Sequence, residues 1–134
     1  MRNTYAIMSR LLASLFMLLF PFIYMEGSVL VYDSPAEKTY ADTSCFRIVK
    51  DEHGGNLYEV AYITNYTAVR SNGAKKIVYI QQYNSSWTQS RIRHIQYYDE
   101  FGKLITYSDA YRDWNWIKDG TVGAAMRDKV KIYF

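Results

Sequence analysis

From Ser28 onward the chain is cut at short intervals by polar breaks carrying glycine, proline or asparagine. These are Asp33-Ser34-Pro35, Asp51-Glu52-His53-Gly54-Gly55-Asn56, Ser71-Asn72-Gly73, Asn84-Ser85-Ser86 and Asp99-Glu100-Phe101-Gly102. Runs this short leave little room for helices of several turns, but they suit strands, which are typically about 5–6 residues long. The runs are rich in branched and aromatic residues, as a pleated, half-buried surface requires. Strands are expected at residues 29–32, 38–44, 57–66, 75–83, 90–98 and 103–107. Asn72-Gly73 and Gly102 supply the positive φ of tight turns, so consecutive strands should pair antiparallel as a meander.

The last segment reads differently. Asp119-Gly120-Thr121 can cap a helix in which Val122, Ala125, Met126 and Val130 recur near helical spacing, and Lys129 and Lys131 suit its C-terminal end. Trp114 and Trp116 just ahead of it are expected to seat that helix on the sheet. The fold class is therefore α+β, an antiparallel meander with a short C-terminal helix. Fourteen tyrosines, six phenylalanines and three tryptophans among 134 residues supply large side chains for one core. Cys45 is the only cysteine, so no intrachain disulfide can assist that core.

The first 27 residues belong to another kind of segment. Arg2 and Arg10 precede fifteen uncharged residues, 11–25, which end at Glu26-Gly27-Ser28. A basic start followed by an apolar run is the pattern of a secretory signal. The run is shorter than the roughly 20 residues that span a bilayer, and Pro21 interrupts it. Two domains of the sequence follow: a signal segment over 1–27, with an unfixed cut, and a single β-rich domain over 28–134. The expected location is outside the cytoplasm, in the periplasm or at the cell surface, with membrane contact only through an uncleaved signal segment.

A net charge of +3, with acidic groups interspersed, is too small to imply a nucleic-acid partner. His53 lies in a glycine loop and His94 on a strand, neither at metal-ligand spacing from carboxylates or from Cys45. No nucleophile, base and orienting group assemble from the sequence, so no enzyme and no cofactor is expected. The best binding candidates are Arg91 and Arg93, which lie two apart on a strand and so share a face, able to meet a carboxylate or sulfate. Simple alternation adds Tyr97 to that face as an exposed anchor. The competing reading makes the arginines partners in cross-strand pairs. On the first reading, removing both costs the fold about 0.5 kcal/mol or less.

One resemblance spans most of residues 28–134. It is carried by Tyr40-Ala41-Asp42-Thr43-Ser44, the strand ending Thr64-Asn65-Tyr66, and Gln82-Tyr83 followed by Arg91-Ile92-Arg93. Tyr97-Tyr98-Asp99 with Gly102, and Trp116 with Gly120-Thr121, complete it. In this order the chain resembles the surface-adhesin protein E family of Gram-negative bacteria, small exported domains of antiparallel sheet and C-terminal helix. The resemblance implies a non-catalytic module that contacts host extracellular-matrix proteins or another protein. The alternative is a periplasmic structural or envelope-maintenance protein with no host partner. Members often carry cysteines after the central aromatic strand and at the C-terminus, where this chain has Asn84-Ser85-Ser86 and Lys131-Ile132-Tyr133-Phe134. Their absence removes a cross-link of a few kcal/mol and leaves adhesion itself open.

Overall fold

Alternation along the strands sorts the side chains onto two unlike faces, and a computed structural model describing residues 27–134 shows how each is used. The elements are β1 (Ser28–Asp33), β2 (Glu37–Lys50), β3 (Asn56–Tyr66), β4 (Lys76–Tyr83), β5 (Gln89–Tyr98), β6 (Leu104–Ser108), β7 (Asn115–Trp116) and a helix α1 (Val122–Lys131). The strands form one antiparallel sheet in the order β1-β2-β3-β4-β5-β6, with β7 also on β5. This is the expected meander with its C-terminal helix. The signal segment expected over residues 1–27 lies, apart from Gly27, outside the described residues.

The core is on the helix face. Val31, Ala41, Val60, Tyr62 and Tyr83 from β1 to β4 meet Met126 and Val130 of α1, with Trp87 between them. Within the expected capping segment Asp119-Gly120-Thr121 it is Thr121 that caps the helix, its hydroxyl accepting from the Ala124 N–H at 3.2 Å. The buried residues are Ala124, Met126 and Val130, whereas Val122 and Ala125 are exposed. The seating tryptophan is also not the expected one. Trp87 stacks on Tyr58 and Tyr83 with centroids 4.5 and 5.0 Å apart, and Phe134 after the helix closes on it at 5.4 Å. Trp116 is 71% exposed, and Trp114 is engaged with Arg91. The reason is topological: β7 lies along β5, which carries Trp114 and Trp116 to the sheet's far side from the helix contacts.

Two irregularities set the faces. In β2, Asp42 pairs with Ala61 and Arg47 with Glu59, so residues 43–46 stand opposite Val60 alone. Asp42 stabilises this bulge by accepting from Ser44 N–H and Oγ–H at 3.0 and 2.6 Å. The strand expected to end at Ser44 therefore resumes and runs to Lys50. In β5, Ile92 pairs with Gln81 and His94 with Ile80, leaving Arg93 as an extra residue. Beyond a bulge the alternation changes phase.

Candidate functional site

A row of directly opposed side chains crosses the face of the sheet away from the helix. Arg47 of β2 faces Glu59 of β3, Glu59 faces Gln82 of β4, and Gln82 faces Arg91 of β5. Glu59 and Gln82 are buried at 4% and 3% exposure. A carboxylate so buried needs partners, and it has them. Glu59 Oε2 accepts from Arg93 Nε at 2.8 Å and from Gln82 Nε2 at 2.7 Å, while Arg47 Nε stands 3.9 Å from Oε1. With its amide nitrogen given to Glu59, Gln82 turns its Oε1 to accept from Arg91 Nε at 2.8 Å. One side chain thus orients the next across four strands.

Above this row the chain leaves β6 at Ser108 and does not rejoin β5 as a strand until Asn115. Residues 109–114 arch over the face, tied down by the Arg112 N–H on the Ile92 carbonyl at 2.9 Å. The arch brings the rings of Tyr111 and Trp114 to 4.6 and 4.5 Å from the Arg91 guanidinium carbon. Such contacts each contribute roughly 0.5–2 kcal/mol and hold the guanidinium plane in place. The facing rim is the β2–β3 loop, where Asp51 Oδ1 accepts from the N–H groups of His53 and Gly55 at 2.8 and 2.7 Å, and Gly54 takes a φ of 81°. Between arch and loop lies a groove of about 900 Å³, floored by Leu57, Glu59 and Gln82.

No family model, no curated protein and no solved structure matches this chain.

Of the residues singled out in the sequence, Arg91 and Arg93 come together in this groove. Tyr97 does not join them. It pairs with Ile77, five positions from the Gln82 that Arg91 faces, and so lies on the helix side of the sheet. The extra residue at Arg93 is the cause, since it shifts the phase for everything after it. The same shift puts Ile92 and the buried Ile95 on one face, whereas plain alternation over residues 90–98 would set them on opposite faces. All three candidates are half-buried rather than exposed. Glu59 and Gln82 were missed as site residues. The one signal for them was Glu59 itself, a carboxylate in phase with Leu57, Ala61 and Ile63 within the otherwise apolar and aromatic run 57–63.

His94 Nδ1 pairs with Asp109 Oδ1, which ties the start of the arch to β5, and His53 stands exposed beside Glu52. Among the described residues no three His, Cys, Asp or Glu side chains gather in a form that would hold a metal ion.

The pairing also corrects the expected harmlessness of removing both arginines. Arg93→Ala leaves a buried carboxylate short of its main cation and is expected to cost about 2 kcal/mol of unfolding free energy, below the roughly 3–5 kcal/mol of a wholly buried pair because Arg93 is 26% exposed. Adding Glu59→Gln to that variant removes the stranded charge and should recover about half. Denaturant titration of the two variants checks both values. Equal stability of Arg93→Ala and the parent would mean that the pair contributes nothing.

Proposed function

We propose that this chain is a non-catalytic binding module, exported by its N-terminal segment, whose contact surface is the groove over Arg91. The observation that carries the reading is the construction of Arg91. Its Nε is spent on a buried amide and its faces are held by two rings, while it lines an open groove. Structural arginines need no such clamp, whereas recognition benefits from a side chain ordered in advance. Aromatic residues beside arginine are also the usual anchors of protein contacts. Against a catalytic reading, the buried carboxylate of the groove is occupied by Arg93 and Gln82 and held near Arg47, an anchor for its neighbours rather than a base.

The resemblance to the surface-adhesin protein E family extends the proposal to presentation on the cell surface and contact with host extracellular-matrix proteins. The alternative, a periplasmic structural protein, requires retention behind the outer membrane. Protease shaving of intact cells separates them, with intact-mass measurement of the exported material alongside. The expected product lacks about 24–28 N-terminal residues and is cleaved on intact cells. Survival of the protein until the outer membrane is permeabilised would favour the periplasmic reading. Recovery of only full-length, membrane-embedded chain would overturn the cleaved signal.

A further inference from the structure

The groove's charges decide what kind of group it suits. Its lining carries Lys50, Arg91 and Arg93 against Asp51, Glu52 and Glu59, three cations against three carboxylates, so no strong field favours a polyanion. Within that balance the charges are unevenly paired. Arg93 has Glu59, and the loop carboxylates stand on the opposite rim, with Asp51 capping its own turn. Arg91 meets no carboxylate among the described residues; its Nε goes to the neutral Gln82. The Nη groups of Arg91 make no hydrogen bond to the described residues, and since no buried side-chain nitrogen or oxygen among these residues lacks a partner, they are reached by solvent. An ordered guanidinium with an open fork matches one carboxylate in a two-bond geometry, which lysine cannot reproduce. The Tyr111 and Trp114 rings lower the local water content around that fork and strengthen a charged hydrogen bond made there.

Resting on the reading of this groove as the binding surface, we propose that it takes a single carboxylate side chain, an Asp or Glu of a partner polypeptide, on the Nη fork of Arg91. A sulfated or phosphorylated polyanion is disfavoured, because Asp51 and Glu52 on the opposite rim repel its further charges.

The test is an NMR titration of the protein expressed from the full sequence, following the arginine Nε–H and tryptophan indole signals. The probes are a terminally blocked Gly-Glu-Gly tripeptide, its Gly-Gln-Gly counterpart, and dextran sulfate at physiological salt. The glutamate peptide should shift the Arg91 and Trp114 signals and bind roughly tenfold more tightly than the glutamine peptide. Arg91→Lys, which keeps the charge and loses the fork, should abolish most of that difference. Equal binding of the two peptides in the groove would overturn the carboxylate assignment while leaving the groove a binding surface. Tighter binding of dextran sulfate through Arg91 would overturn it in favour of a polyanion. Unmoved groove signals with every probe would overturn both the assignment and the reading beneath it.

Discussion

Replacing Trp87 by alanine is expected to destabilise the domain by about 4 kcal/mol, and replacing it by glycine by about 1 kcal/mol less. The first figure follows from position. Trp87 is 6% exposed and its ring touches Tyr58, Tyr83 and Phe134, so truncation opens a cavity where the sheet, the helix and the chain end meet. A loss of that size is a large part of the roughly 5–15 kcal/mol that holds a domain of this kind together. The second figure follows from the backbone. Trp87 has a φ of 60°, the left-handed region that side-chain-bearing residues avoid at about 1–2 kcal/mol, in the turn closed by its N–H on the Asn84 carbonyl at 3.0 Å. Burial of the indole holds the backbone there. Alanine keeps the strain and loses the burial, whereas glycine loses both, so the usual order of alanine above glycine should invert. Chemical denaturation of the two variants decides it. Alanine proving the more stable would show that the turn relaxes once the ring is gone.

The second large effect is alkaline unfolding. Burial pushes the Tyr83 hydroxyl up to about 12, and it raises Tyr62 well above the ordinary phenol range, with the neighbouring Tyr83 adding to the shift; burial raises Tyr79 as well. The hydroxyls of Tyr62 and Tyr83 share a 2.6 Å hydrogen bond inside the core. In the unfolded chain each phenol ionises near pH 10. Between pH 10 and about 12 the unfolded state has therefore lost protons that the folded state still holds, and the slope of stability with pH is negative. Stability from these groups is complete below pH 10 and falls above it, by about 1.4 kcal/mol per pH unit for each tyrosine, or about 4 for the three together. Cooperative unfolding is expected between about pH 11 and 12. Circular dichroism should stay level to about pH 10 and then collapse in step with a late rise in phenolate absorbance. Tyr83→Phe should make the decline shallower. Phenolate absorbance reaching its full value while the fold persists would mean that these hydroxyls are not sealed from water.

How far the residues alone carry the description can be followed in particular segments. The expected strand 57–66 is β3 but for its first residue, because the branched and aromatic residues from Leu57 to Ile63 follow a polar glycine loop and suit a pleated, half-buried surface. Strand 75–83 loses only its first residue, and the Thr121 cap and the helix after it stand where local spacing put them. These features depend on neighbours in sequence: backbone preferences, turn glycines and a hydroxyl three residues from the N–H it accepts.

The site depended on contacts the sequence does not order. Arg91 and Arg93 were legible as a pair, since they are two apart on one strand. Tyr97 was misplaced because a bulge is an insertion of one residue into a ladder, and only the facing strand shows where it falls. Trp114 and Trp116 were expected to seat the helix because they precede it closely in sequence, but the tertiary fold put Trp87 in the core with the helix and Trp114 on a guanidinium. Glu59, Gln82 and Arg91 are separated by 23 and 9 positions and become one row only because β3, β4 and β5 lie side by side in one register. By itself the sequence determined six of the seven strands and their order, the helix cap and the absence of an intrachain disulfide, all consequences of local geometry and composition; β7 and the second half of β2 were not legible in it. Which face each side chain occupies, and which charges neutralise one another, was decided by the tertiary structure, because cross-strand register sets both.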